Sequence, residues 1–150
     1  MFMIDYKQLN WWYWFVTACL LTAGLAGVEA GFVLAIGLSL VQLIHFTLRE
    51  QRMTAFAVQV RFWFLMLVLA AYPEPMQIVY WLPAAGTWAR SIFGYCLMAR
   101  MLALLPWNRR EAFSIGLVTR TFFSRPVRGS IMQGLPPVGQ NHPAQPNAMI

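Results

Sequence analysis

The chain has 150 residues, of which 59% are hydrophobic and only 11% are charged. A soluble domain typically carries about 25% charged residues, and so few charges could hardly cover the surface that a folded chain of this size exposes to water. The composition argues strongly against a water-soluble monomer. It also argues against a fully disordered chain, a coiled coil and, with two cysteines, a disulfide scaffold. An integral membrane protein remains.

The chain is basic, with a formal net charge of +6 and a sequence pI of about 10.0. In a soluble protein this would point to nucleic acid. In a membrane protein it more often reflects lysines and arginines held on the cytoplasmic side, facing anionic lipid. The sequence has no lysine-rich run and no nucleic-acid-binding motif. Membrane lipid, and no nucleic acid, is therefore the expected partner.

Four apolar segments follow one another along the chain, at residues 11–28, 31–48, 55–71 and 84–105. A helix needs about 20 apolar residues to cross a ~30 Å hydrocarbon core, with a range of ~17–25. The third segment lies at the lower limit of this range. None of the four segments alternates polar and apolar residues as a membrane strand does. The predicted fold class is all-α: an integral membrane four-helix bundle made of two helical hairpins.

Helix-breaking and charged residues separate these segments. Glycines bracket a tight turn after the first segment, and the charged residues 49–52 follow the second. Pro73 and Pro75 follow the third, and two prolines so close together cannot continue a helix. These boundaries predict a membrane domain of four spans over residues 11–107.

The lysines and arginines of the connections predict the orientation, because cytoplasmic loops carry an excess of them. Eight lie before the first segment, between the second and third, or after the fourth: Lys7, Arg49, Arg52, Arg109, Arg110, Arg120, Arg125 and Arg128. The other two connections hold Glu29 and Glu74 and neither lysine nor arginine. This alternation predicts a bacterial-type inner (cytoplasmic) membrane protein with residues 1–10 and the C-terminus in the cytoplasm.

A cleaved signal peptide is the alternative interpretation of the first segment. Against it, Asp5 lies in the short polar region before the segment, and the apolar part is long and strongly aromatic. Cleavage would also leave three spans and break the charge alternation. The first segment is therefore expected to stay as a membrane span.

The chain after the fourth segment divides into two parts. Residues 108–128 are basic, and Ile115, Val118 and Phe122 recur at helical spacing. This pattern fits equally a short helix on the membrane surface and an irregular linker. Residues 129–150 are rich in Pro, Gly, Gln and Asn and have no charged side chain, which is typical of a flexible tail.

Three arginines, Arg61, Arg90 and Arg100, lie within the predicted spans. An arginine at the centre of a membrane helix costs about 2.5–3.5 kcal/mol on insertion scales, so it usually faces a partner, a cavity or the interface. Counting residues along the helices puts Arg61 and Arg100 in the cytoplasmic third of the membrane, together with Gln42 and His45. These four residues form the candidate cofactor-binding cluster, suited to an anionic lipid head group or a quinone carbonyl. Snorkelling of arginine to the phosphates is the simpler alternative.

Small residues at helical spacing predict close helix packing. The candidate positions for packing or partner contact are Gly31, Ala35, Ser39, Gly86, Arg90 and Gly94. The first three form one face of the second span, which meets either the first helix or another subunit. The last three share a face near the periplasmic side of the fourth span, where Glu29 is a candidate partner for Arg90. Other membrane-protein subunits or further copies of the chain are the expected partners.

No cofactor, metal site or catalytic set is predicted. A b-type haem usually needs two histidine ligands, but the predicted spans hold only His45, and His142 lies in the tail. Cys19 and Cys96 are isolated and are expected to pack as small apolar residues. The Gly-x-Ser-x-Gly, P-loop and His-Glu-x-x-His motifs are absent, and no carboxylate lies within a span. The sequence therefore favours a protein that is not an enzyme.

Three functional hypotheses stay open. The first is a non-enzymatic accessory or assembly subunit of a larger membrane complex, favoured by the small-residue faces and the long polar tail. The second is a redox membrane anchor that binds a quinone or, with a ligand from a partner, a haem near the cytoplasmic face. The third is a small anion or lipid carrier lined by the arginines.

Overall fold

The computed structural model describes residue 4 and residues 6–109 and 112–125. This part of the chain is helical and contains no strand, which confirms the all-α prediction for it. The elements are α1 (Leu9–Leu25), α2 (Ala30–Glu50), α3 (Phe56–Ala70), a 3₁₀ helix (Met76–Tyr80), α4 (Trp81–Phe93), α5 (Leu97–Ala103) and α6 (Ile115–Phe123). The predicted tail at 129–150, with His142, lies outside the described residues.

The helices pack around one core. Helix α1 packs against both α2 and α4, α2 packs against α3, α5 lies on α3, and α6 lies on α5. Across the core, the Trp14 ring of α1 meets the Phe64 ring of α3 edge to face, with centroids 5.1 Å apart. At one end, the Phe32 and Tyr80 rings stack at 4.0 Å. These contacts join α1 to α3 and α2 to the 3₁₀ helix.

The α1–α2 hairpin forms through close contact of the two backbones. A Cβ atom added at Gly31 would lie 2.5 Å from the backbone oxygen of Leu20 and 2.7 Å from the backbone nitrogen of Gly24. Ala35 and Ser39 continue the same face of α2, and both are buried. The small-residue face of α2 is therefore covered within the chain, where Gly31 meets α1.

The fourth apolar segment differs from the single helix predicted over residues 84–105. It divides into α4 and α5, because Gly94 adopts the left-handed conformation (φ 71°) that ends helices. The Gly94 N–H donates to the Arg90 carbonyl at 3.1 Å. A new helix then starts at Cys96, whose Sγ accepts the Ala99 N–H at 3.5 Å. The depth of a residue in this segment therefore cannot be obtained by counting residues from the ends of one straight helix.

Helix α2 is the one helix of the described part that is both long and apolar enough to cross a membrane. It has 21 residues, and the mean hydropathy of its 18-residue window is 1.9. Helix α3 is also apolar but has 15 residues. The four-span arrangement stays a prediction.

Helix α6 lies within residues 108–128, where a short helix on the membrane surface was one of two interpretations; the structure shows the helix, and its place on a membrane stays a prediction. The Ser114 hydroxyl caps it by accepting the Leu117 N–H at 3.1 Å. Leu117 and Thr121 are its buried residues, whereas Ile115 is 82% exposed. The face that packs on α5 thus includes Leu117 and Thr121 and differs from the apolar face that the sequence predicted. Helix α6 contacts α5 through one narrow side only.

Candidate functional site

A cavity of about 330 Å³ lies where α1 and α3 begin, α2 ends and α4 is followed by α5. Its lining includes Arg61, Arg90 and Arg100, together with Arg49 from the last turn of α2. We refer to it as the arginine cavity. Glu50 is the one carboxylate in its lining among the described residues. The cavity therefore gathers all three arginines that the sequence has within its predicted spans.

Arg61 of α3 is buried on the cavity wall, with 5% of its surface exposed, as is Arg100, with 2%. One terminal nitrogen donates to the Ala57 carbonyl at 2.8 Å, and the other donates to Asn10 Oδ1 of α1 at 2.5 Å. The guanidinium carbon lies 3.3 Å from the centroid of the Phe46 ring. The Nε atom is buried and has no hydrogen-bond partner. Arg61 is thus held by neutral groups and keeps one unused donor.

Arg100 of α5 has a different environment, because its guanidinium reaches the C-terminal end of α6. It donates to the Thr121 carbonyl, to the Ser124 hydroxyl at 2.7 Å and to the Arg125 carbonyl at 3.4 Å. Its Cζ atom lies 4.2 Å from the centroid of the Tyr95 ring. A cation is favourable at a helix C-terminus, where the backbone carbonyls lack partners. Arg100 therefore attaches α6 to the bundle beside the cavity.

Arg90 is the most weakly bonded of the three arginines. It is half-buried, and its Nη1 donates to the Gly94 carbonyl at 3.3 Å. Glu29, its candidate partner, does not pair with it: Glu29 is exposed in the α1–α2 turn, whereas Arg90 shares a cavity with Arg61 and Arg100. The reason is the helix break at Gly94, which brings the last turn of α4 to the cavity. In the described part of the chain, no carboxylate forms an ion pair with any of the three.

Gln42 and His45 lie outside the arginine cavity. Gln42 is buried and donates to the Thr17 hydroxyl at 3.0 Å. His45 Nδ1 is hydrogen-bonded to the Tyr13 hydroxyl at 2.9 Å. The predicted cluster of four residues therefore divides into two groups. Arg61 and Arg100 line the cavity, whereas Gln42 and His45 join α2 to α1.

Two helix N-termini add to the positive potential of the cavity. Gln8, the N-cap residue of α1, and Phe56, the first residue of α3, both line it. Neither helix has a side-chain hydrogen bond at its N-cap. The N-terminus of a helix carries a partial positive charge of roughly half a unit, so it favours anions. The helix N-termini and the arginine side chains thus both favour an anion in the cavity.

The glycines of α4 have other roles than close helix packing. A Cβ atom added at Gly86 would meet no atom within 4 Å, so no described helix approaches it closely. Gly94 ends the helix. Sequence reasoning missed Asn10 and Phe46, which hold Arg61. Cys96 packs against the core as predicted, and it also caps α5, which the sequence did not indicate. Only Gly94, a helix breaker inside an apolar segment, gave a sequence signal for any of this.

The described residues contain no group of three or more His, Cys, Asp or Glu side chains that could hold a metal ion. The arrangement instead offers cationic donors around a space large enough for a small molecule, since ligand pockets measure about 300–1,000 Å³. No protein-family model matches the chain, and no curated protein or solved structure is significantly similar to it.

Proposed function

We propose that the protein is a multi-pass inner-membrane protein that binds an anionic ligand, bearing a phosphate or carboxylate group, in the arginine cavity. The observation that carries this proposal is Arg61, a buried guanidinium with an unpartnered Nε and, among the described residues, no carboxylate in an ion pair with it. It develops the anion or lipid carrier among the three functional hypotheses.

The physical reason is the cost of a buried charge. Removing an ion from water costs several kcal/mol even after relaxation. The Phe46 ring and the oxygens of Asn10 and Ala57 offset part of this cost. An anion in the cavity would supply the missing countercharge. A quinone carbonyl would accept a hydrogen bond but bring no countercharge, so the charges favour an anion over a quinone.

The outer surface of α2 supports the membrane part of the proposal. Its exposed side chains are large and apolar and recur along one side of the helix: Val33, Leu34, Leu40, Val41, Ile44 and Leu48. Soluble monomers rarely expose apolar patches of such extent, and a lipid environment would cover this one. Cytoplasmic orientation of the cavity follows from the charges at its end of the bundle, where Lys7, Arg49 and Arg52 lie.

A second candidate function is the accessory subunit of a membrane complex. It is supported by α6, which exposes Ile115 and Phe123 to 82% and 87%. A partner subunit or the membrane surface would cover these side chains. Co-purification in mild detergent tests it: a partner protein lost on Ile115→Ser and Phe123→Ser would support it, and a chain that purifies alone would contradict it.

Thermal unfolding of the purified protein in non-ionic detergent tests the anion-binding proposal, with glycerol phosphate as the probe. We expect Tm to rise with probe concentration in the wild type and the rise to be lost in Arg61→Gln and Arg90→Gln. Arg52→Gln is the matched control, because Arg52 is exposed in the α2–α3 loop and does not line the cavity. Equal shifts in Arg90→Gln and Arg52→Gln, or no shift in the wild type, would contradict the proposal.

A further inference from the structure

A second, narrower cavity of about 60 Å³ lies beside the arginine cavity, between α3 and the α4–α5 pair. We call it the α3–α4 cleft. Trp14, Arg90 and Cys96 line both spaces and mark their junction. Beyond this junction the walls are almost entirely apolar, with Phe64 and Leu67 on one side and Leu82 and Met101 on the other. A strongly cationic space thus lies directly beside an apolar one.

We infer that the anionic ligand is a phospholipid of the surrounding bilayer. Its phosphate head group occupies the arginine cavity, and the first methylene groups of an acyl chain enter the α3–α4 cleft. The inference rests on the proposed function, which it makes specific for a class of ligand. Arg90, at the junction, faces the point where the charged and apolar parts of such a molecule meet.

The sizes of the two spaces favour a phospholipid over simpler anions. The arginine cavity is larger than a lone carboxylate fills, so a fatty acid would leave most of it empty. A free phosphate would leave the cleft without an occupant. The cleft is too small for a whole acyl chain, but Leu82 and Met101 on its wall are 56% and 54% exposed. The chain therefore continues outward between the helices, where the proposed membrane places lipid.

Gly86 provides a way to block the cleft alone. It lines the cleft, and a Cβ atom added there meets no atom within 4 Å. Gly86→Leu therefore adds apolar bulk at a residue that lines the cleft, and its Cβ atom meets no neighbouring atom. Gly37 is the matched control, because it lies within α2, away from both cavities, and an added Cβ atom there also meets nothing within 4 Å.

The experiment compares three probes by thermal unfolding in non-ionic detergent: glycerol phosphate, dihexanoyl phosphatidylglycerol and dihexanoyl phosphatidylcholine. In the wild type and Gly37→Leu, we expect half-maximal stabilisation by the phosphatidylglycerol at a concentration at least tenfold below that for glycerol phosphate. The phosphatidylcholine should be weaker than the phosphatidylglycerol because its head group has no net charge. In Gly86→Leu, the response to glycerol phosphate should stay and the tenfold advantage should disappear.

The outcomes separate the inference from the proposed function. Equal potency of glycerol phosphate and the phosphatidylglycerol in the wild type would overturn the lipid inference and leave anion binding intact. An unchanged tenfold advantage in Gly86→Leu would also overturn it. Absence of any response to both anionic probes would contradict the proposed function itself. If Gly86→Leu fails to fold, the comparison of probes in the wild type still decides.

Discussion

The guanidinium carbon of Arg61 on α3 lies 3.3 Å from the centre of the Phe46 ring on α2. A second ring, that of Trp14 on α1, lies 5.7 Å from the same atom. A cation over an aromatic face gains about 2 kcal/mol or more when water is excluded. This contact helps to hold Arg61 in place without an ion pair to any carboxylate of the described residues.

The first prediction concerns the Arg61–Phe46 contact. In a double-mutant cycle of Phe46→Leu and Arg61→Gln, we expect a coupling free energy of about 1–2 kcal/mol, because either change removes the same cation–π interaction. The free energy of unfolding would be measured by denaturant titration in mixed micelles. Phe62→Leu is the control partner for Arg61→Gln, since Phe62 is exposed on α3. Additive effects of the Phe46 and Arg61 changes would show that the contact has no energetic weight.

The second prediction concerns the attachment of α6. Arg100→Gln removes charged hydrogen bonds to the Thr121 carbonyl and the Ser124 hydroxyl, each worth about 1.5–3 kcal/mol. We expect amide hydrogen exchange in residues 115–123 to accelerate at least tenfold, with little change in α1 and α2. Tyr95→Phe removes only the bond from the Tyr95 hydroxyl to the Phe122 carbonyl, so its effect should be smaller.

Arg109→Gln is the control for this measurement, because Arg109 is exposed beyond α5. Exchange in α6 that is equally slow in Arg100→Gln and Arg109→Gln would mean that Leu117 and the other apolar contacts alone hold the helix.

Local patterns predicted the helices and the α1–α2 contact but not the shape of the cavity. Apolar runs and their breakers are properties of neighbouring residues, so α1, α2 and α3 begin and end within three residues of the predicted spans. Gly31 followed from small-residue spacing for the same reason. The position of Arg90 did not follow from the sequence. Its depth in the membrane was counted along one continuous helix, and Gly94 interrupts that helix.

The candidate site was predicted in part for a related reason. Arg61 and Arg100 were grouped because both lie at similar distances from a predicted cytoplasmic boundary, and both line the cavity. Gln42 and His45 share that depth, but they turn toward Thr17 and Tyr13 on α1. The direction of a side chain depends on how whole helices rotate against each other, and residue spacing within one helix does not contain that information.

The third prediction tests the contact of α1 with α2. Gly31→Ala should lower the free energy of unfolding by about 1–3 kcal/mol, the usual cost of overpacking, because its Cβ atom would lie 2.5 Å from a backbone oxygen that cannot rotate away. Gly37→Ala, in open space on the same helix, should instead stabilise by about 0.5–1 kcal/mol through helix propensity. Equal effects of the two changes on Tm would contradict this account of the hairpin.

The fourth prediction concerns orientation. A fluorescent protein that matures only in the cytoplasm should be bright when fused after residue 150, and alkaline phosphatase at the same point should be inactive. The expectation follows from the eight lysines and arginines of the predicted cytoplasmic segments. Fusions after Glu74, in a connection without lysine or arginine, should give the reverse pattern. An active phosphatase at the C-terminus would refute the predicted topology.

The fifth prediction concerns the break between α4 and α5. At Gly94, φ is 71°, a conformation that costs other L-residues about 1–2 kcal/mol. Gly94→Ala should therefore destabilise the fold by that amount or let α4 continue toward α5. Continuation of α4 would move Arg90 away from Arg61, and the concentration of glycerol phosphate for half-maximal stabilisation should then rise several-fold.

Gly86→Ala is the matched control for Gly94→Ala, because Gly86 lies within the same helix in open space. It should gain stability through helix propensity and bind glycerol phosphate as the wild type does. If Gly94→Ala were as stable as Gly86→Ala and bound the probe equally well, the helix break would have no part in forming the arginine cavity. In that case the approach of Arg90 to Arg61 would have to come from the packing of α4 against α1 alone.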